Sequence, residues 1–138
     1  MKLISITEVE YITYTLAKEL MSWDEPIPDF GSRFPHTLES CLATPFQSFR
    51  RKPFYVGLVG KASALFYLMI KNHPFQNGNK RIAMATLFYF LYKNEKWLRV
   101  DDKELYNFAK WVAESNPKLK DETLRATEKF IKTYIVKL

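Results

Sequence analysis

The densest chemistry in the chain lies in His73-Pro74-Phe75-Gln76-Asn77-Gly78-Asn79-Lys80-Arg81, which brings together a base suited to neutral pH, a flexible glycine and two adjacent cations. If Gly78 to Arg81 open a helix, the first amides of that helix have no intrahelical acceptor and the positive end of its dipole faces the same way. Together these make an anion site. Glycine at 78 permits close backbone approach and unusual dihedrals. Arg81 can grip phosphate oxygens with a bidentate fork, and Lys80 can add a point charge. Successive helical residues point about 100° apart, so the two need not face one ligand. Arg81 is the expected direct phosphate ligand; Lys80 is either a second ligand or a solvated surface charge. His73 can fold back over the loop and take a proton from an attacking hydroxyl. A lone histidine at a helix end is more often a cap or packing residue, and its place beside an anion site is what favours the base. Phe75 is expected to bury its ring and anchor the loop.

The elements that position this motif follow from apolar periodicity. Val59, Ala62, Leu65, Phe66 and Met69 recur at helical spacing, and Pro74 disfavours helical geometry at His73, so a helix should end just before the histidine. Ile82 to Tyr92 is apolar on nearly every face, as expected of a helix buried through the middle of a domain. The motif then joins two core helices. Ser5 with Glu8 has capping-box spacing ahead of a first helix expected from about Thr7 to Met21. Asp24 to Thr37, with its prolines and Gly31, predicts the longest irregular stretch, and any β-hairpin is expected around residues 28–37. Leu38 to Leu42 predicts a short helix and Gln47 to Pro53 a second connection. Asp101 with Glu104 repeats the capping-box spacing before another helix, and a last one follows Pro117. The expected class is all-α, with residues 1–138 forming one domain.

Composition narrows the class further. Nothing in the chain resembles a signal peptide or a membrane span, and Cys41 has no cysteine to pair with, so a reducing, cytoplasmic location is expected. Cys41 itself reads as a small, partly buried thiol. Lys and Arg outnumber Asp and Glu by 21 to 15, a net charge of +6. That balance suits nucleotides, nucleic acid or an acidic protein equally, but the basic residues lack the interleaved aromatics of a base-stacking surface, which disfavours nucleic acid.

The spacing His-x-Phe-x-x-Gly-Asn-Lys-Arg between two helices resembles the active-site motif of the Fic/Doc family. More loosely, Leu38-Glu39-Ser40-Cys41-Leu42 followed by Pro45 resembles the segment upstream of it. The Asn79-Lys80-Arg81 ending is similar to that of the Doc (death-on-curing) toxin branch rather than of Fic adenylyltransferases, and Met84 stands where many of the latter carry a second arginine. The resemblance implies a Fic-fold helical bundle with a central buried helix. It implies His73 as the base, and Gly78, Asn79, Lys80 and Arg81 around the phosphates of ATP. It further implies transfer of the γ-phosphate to a protein hydroxyl, as Doc-like proteins do on elongation factor Tu, or of the nucleoside monophosphate, as Fic proteins do. The irregular segment around Asp29 to Pro35 would be the target-aligning flap, and a small antitoxin would restrain the toxin. Asn77 stands where the family usually has the acid that holds Mg²⁺. Its neutral carbonyl is a weak metal ligand, so a weakly active or inactive Fic-fold binding protein is the third reading. Thr15 and Glu19 have the spacing of the family's inhibitory helix, but Leu20 breaks the pattern.

Overall fold

A computed structural model describes residues 1–138 as an all-α bundle with two very small sheets. The centre is a pair of helices, α3 (Gly57–Lys71) and α4 (Asn79–Lys93), in extensive contact. Phe66, Met69 and Ile70 from α3 meet a core that includes Ile82, Met84, Leu87, Phe90 and Leu91 from α4, all nearly inaccessible. Burying each such side chain contributes about 1.5–3 kcal/mol, which is why the apolar sequence of α4 becomes the axis of the fold. Around them pack α1 (Ile6–Ala17), α2 (Pro35–Ala43), α5 (Asp102–Glu114) and α6 (Lys120–Tyr134). Between α5 and α6 the Phe108 and Phe130 rings stack at 4.2 Å. No helix is long and apolar enough to cross a membrane.

The first helix departs from the expected span. The capping box forms as its spacing predicts, with the Ser5 hydroxyl and Glu8 carboxylate exchanging hydrogen bonds with each other's backbone amides. Helical backbone then runs from Ile6 to Ala17 through a π-type segment, Val9–Thr13, and stops short of Met21. The stop has a physical cause in α4: the Arg81 guanidinium takes the carbonyls of Lys18 and Leu20, and Met21 turns the chain at φ 48°. Burial pushes the Glu8 carboxyl up. Hydrogen bonds from Lys93, Tyr89 and the Ser5 amide, with the Lys93 charge, outweigh that and hold it at about 2.

The hairpin expected at residues 28–37 is elsewhere. That segment holds a single 3₁₀ turn, Phe30–Ser32, and then α2, which starts at Pro35 rather than Leu38 because proline is well suited to a first helical turn. The hairpin is β1 (Ser48–Phe49) with β2 (Lys52–Pro53), in the stretch expected to be a plain connection. A second ladder joins β3 (Lys96–Leu98) to β4 (Ile135–Lys137) and was not foreseen, because three-residue strands are too short to show a period. Asp101 is the N-cap of α5 but makes no side-chain cap, so the second capping box does not form. The Glu104 carboxylate accepts from Tyr134 instead. Cys41 is fully rather than partly buried, donates to the Leu68 carbonyl, and its thiol is pushed up to about 12 by burial.

Candidate active site

The motif lies between α3 and α4, as the spacing predicts. Asn72 caps α3, and His73 follows in left-handed geometry at φ 49°. That position after a helix is ordinarily given to glycine, because a Cβ costs about 1–2 kcal/mol there. His73 is exposed, while Pro74 and Phe75 beside it are buried. The Phe75 ring packs against Tyr14 and Phe30, so it anchors the loop.

Asn79 organises the turn. Its side-chain oxygen accepts from the Phe75 amide at 3.1 Å and its nitrogen donates to the Phe75 carbonyl at 2.9 Å. That pairing fixes the orientation of the amide group and leaves its NH₂ 3.4 Å from His73 Nδ1. A donor facing Nδ1 favours the neutral tautomer that carries its proton on Nε2 and keeps the Nδ1 lone pair toward Asn79. The contact is long, and a substrate hydroxyl can replace it.

Gly78 is the N-cap of α4 at φ 72°. Of the amides from Gln76 to Arg81, none has an acceptor in the protein; the first satisfied one is Ile82, which bonds the Gly78 carbonyl. Six consecutive free donors therefore precede the first bonded turn of a buried helix, an arrangement that favours an anion. Gln76 and Asn77 leave one side of it open to solvent. The other side is walled by a strap, residues 24–28: a Cβ on Gly78 would meet Ile27 Cδ1 at 2.7 Å and the Pro26 carbonyl at 3.1 Å.

The two cations are placed differently from expectation. The Arg81 guanidinium is buried and turned toward the strap, donating to the Leu20, Glu25 and Lys18 carbonyls at 2.6, 2.8 and 3.0 Å. Three backbone carbonyls have taken the place of the phosphate oxygens expected of it, so in this structure Arg81 is a brace for the strap. Lys80 also reaches the strap, 3.2 Å from the Glu25 carboxylate, and is largely covered. Sequence spacing could not show this, because the residues that meet Arg81 lie more than fifty positions upstream. The strap is pinned at its far ends as well. Tyr14 donates to the Pro28 carbonyl at 2.5 Å, and its phenol is pushed up to about 12 by burial and by Asp29. Tyr106 donates to Asp24 at 2.8 Å, and Trp23 packs edge-on against the Tyr106 ring.

The donor set does not suit Mg²⁺. Asn77 is exposed and neutral, Glu25 is the carboxylate that touches the motif, and it is committed to Lys80. Nowhere do three or more His, Cys, Asp or Glu side chains gather as a metal site. One feature the sequence reading missed is a polar depression of about 430 Å³ adjoining Asn72, lined also by His36, Thr37 and Ser40. The backbone bond from Phe34 to Pro74, at 2.9 Å, draws the start of α2 to the motif and so sets that depression beside His73.

The motif is thus a loop of unpartnered amides that begins at His73 and leads into the central buried helix of the bundle. The family model for the Fic/DOC family matches residues 5–91, which hold α1 to α4 almost entire together with the whole motif. The chain belongs to the Fic/DOC family. No curated protein and no solved structure matches it.

Proposed function

We propose that this protein is a Doc-like phosphotransferase that moves the γ-phosphate of ATP to a hydroxyl of a protein. The observation that carries the reading is the run of six unpartnered amides, residues 76–81, in the loop that begins at His73, whose Nδ1 lies 3.4 Å from the Asn79 side-chain amide. In the step, the hydroxyl oxygen bonds to the γ-phosphorus, the bond from that phosphorus to the β,γ-bridging oxygen breaks, and ADP leaves. His73 takes the hydroxyl proton. The amides, the dipole of α4 and Lys80 hold the phosphate charge. The Lys80-Arg81 ending and Met84 favour the Doc side over adenylyl transfer, in which the same hydroxyl would attack the α-phosphorus and expel pyrophosphate.

The target-aligning role first assigned to Asp29 to Pro35 belongs better to the β1–β2 hairpin. Residues 29–34 are tied to the motif by Phe30 and Phe34, whereas the hairpin offers exposed Phe49, Phe54 and Val56 beside Arg50, Arg51 and Lys52. Such a surface fits an acidic, partly apolar segment of a target, for which elongation factor Tu is the candidate that the Doc branch supplies. A small antitoxin would then be the restraint, since the inhibitory pattern is broken at Leu20. Asn77 favours a second reading, an anion-binding protein with little or no catalysis.

The test uses ATP labelled at either the α- or the γ-phosphate in a bacterial extract, with the natural chain and His73→Ala. Transfer of γ-label by the natural chain alone is expected. Transfer of α-label would assign nucleotidyl transfer, and no transfer from a chain that still binds ATP would assign the binding protein.

A further inference from the structure

Resting on the phosphate-site reading above, we propose that this site takes its polyphosphate free of divalent metal, with Lys80 and the six amides supplying the charge that a metal would supply. Each side of the site gives a reason. On the side of residues 76 and 77, where a cation would have to bridge phosphate and protein, the side chain offered is the neutral amide of Asn77. Hard Mg²⁺ favours carboxylates and phosphate oxygens, so the protein adds little to hold it there. On the strap side the available charge is already positive. Lys80 is largely covered by protein, with 18% of its side chain accessible, and its counter-ion is the Glu25 carboxylate at 3.2 Å. The positive end of a fifteen-residue helix points the same way.

A metal ion entering this environment meets a cation, a helix dipole and no free carboxylate. A bare phosphate group meets six donors and an ammonium whose partner it can replace. Glu25 is therefore the resting anion of the site. Nucleotide binding exchanges one carboxylate–ammonium pair for a phosphate–ammonium pair with no change in the number of metal ions. Magnesium-complexed ATP carries two fewer negative charges than the free anion, so it should bind this site less tightly.

The experiment is calorimetric titration of the full chain with ATP and, separately, inorganic tripolyphosphate, in EDTA or in excess Mg²⁺. Both ligands are expected to bind in EDTA, with affinity falling severalfold in Mg²⁺. Asn77→Asp should reverse the order, weakening binding in EDTA by about tenfold and recovering it with Mg²⁺, since one carboxylate within a few ångströms shifts a charged equilibrium by about that much. Glu25→Gln should tighten binding in EDTA by removing the competing anion. The proposal is overturned if the natural chain binds only in Mg²⁺, or if Glu25→Gln abolishes binding that Mg²⁺ supports, which would make Glu25 a metal ligand. Failure to bind either ligand in either condition would instead overturn the phosphate-site reading, and this proposal with it.

Discussion

Two irregular segments, residues 24–28 and the β1–β2 hairpin, are held in opposite ways. The strap, residues 24–28, is fastened at five points: by Arg81, Lys80, Tyr14, Tyr106 and the bare face of Gly78. The β1–β2 hairpin is fully exposed along both strands, and its tip is two arginines in left-handed geometry. The strap is thus part of the site's wall, built from contacts to the motif, while the hairpin is a free arm. Length and proline content, which made the strap the better loop in the sequence, say nothing of which segment the motif holds.

The largest effect should come from cutting the strongest fastening. Arg81→Ala leaves the buried Leu20 carbonyl and the part-buried carbonyls of Lys18 and Glu25 without this donor, and a loss of about 3 kcal/mol of stability is expected in urea unfolding. Arg81→Lys should rescue little of it, since one ammonium cannot span three carbonyls with a planar fork. If Arg81 instead served phosphate alone, Arg81→Ala would keep its stability and lose only ATP affinity.

Gly78→Ala tests the opposite face of the strap. The left-handed backbone costs a Cβ about 1–2 kcal/mol, and the contact with the Pro26 carbonyl adds to it, for a total of about 2 kcal/mol. Ile27→Ala in the same chain should recover only the part due to the Ile27 side chain. Full recovery would show that φ at residue 78 is not the constraint.

What the sequence could show divides along the same line. The helices joined by the motif, the buried axis from Ile82 and the free amides before Ile82 were legible from local pattern, and the burial of Phe75 from its apolar ring alone, although its partners Tyr14 and Phe30 are distant in sequence. The partners of Lys80 and Arg81 were not, because a cation adjacent to an anion site and a cation bracing a distant strap look identical along the chain. Asn79 shows the same limit on a smaller scale. Its main-chain amide is free, while its side chain serves Phe75 and His73, a duty that only the fold of the loop creates.

The α1–α4 contact at the far end of α4 from the strap answers to pH. Glu8 is held at about 2 when folded and returns to 4.5 when unfolded, so the folded state binds fewer protons between those values. Its contribution is complete above pH 4.5 and is lost as pH falls toward 2. With solvent screening at this partly accessible site, a loss of about 1 kcal/mol is expected. Unfolding midpoints of the natural chain and Glu8→Gln should converge as pH drops from 6 to 2.5; parallel curves would mean that the Lys93 and Tyr89 contacts contribute nothing.

The smallest effect on stability belongs to the free arm, and it is the one that speaks to function. Phe49 pairs with Lys52, so Arg50 and Arg51 are the two central residues of the turn, at φ 52° and 66°. Turns of that geometry favour Asn-Gly, and arginine at both positions gives up stability for no contact within the chain beyond Arg50 over the Phe49 ring. Replacing the pair by Arg50→Asn with Arg51→Gly should stabilise the hairpin by about 0.5–1 kcal/mol, seen as slower amide exchange at Phe49 and Lys52. If the arginines are kept for an acidic target, the same variant should transfer less label to protein while binding ATP as the natural chain does. A variant that gains stability and loses no transfer would remove the hairpin from target docking and return that role to the residues beside His36 and Thr37.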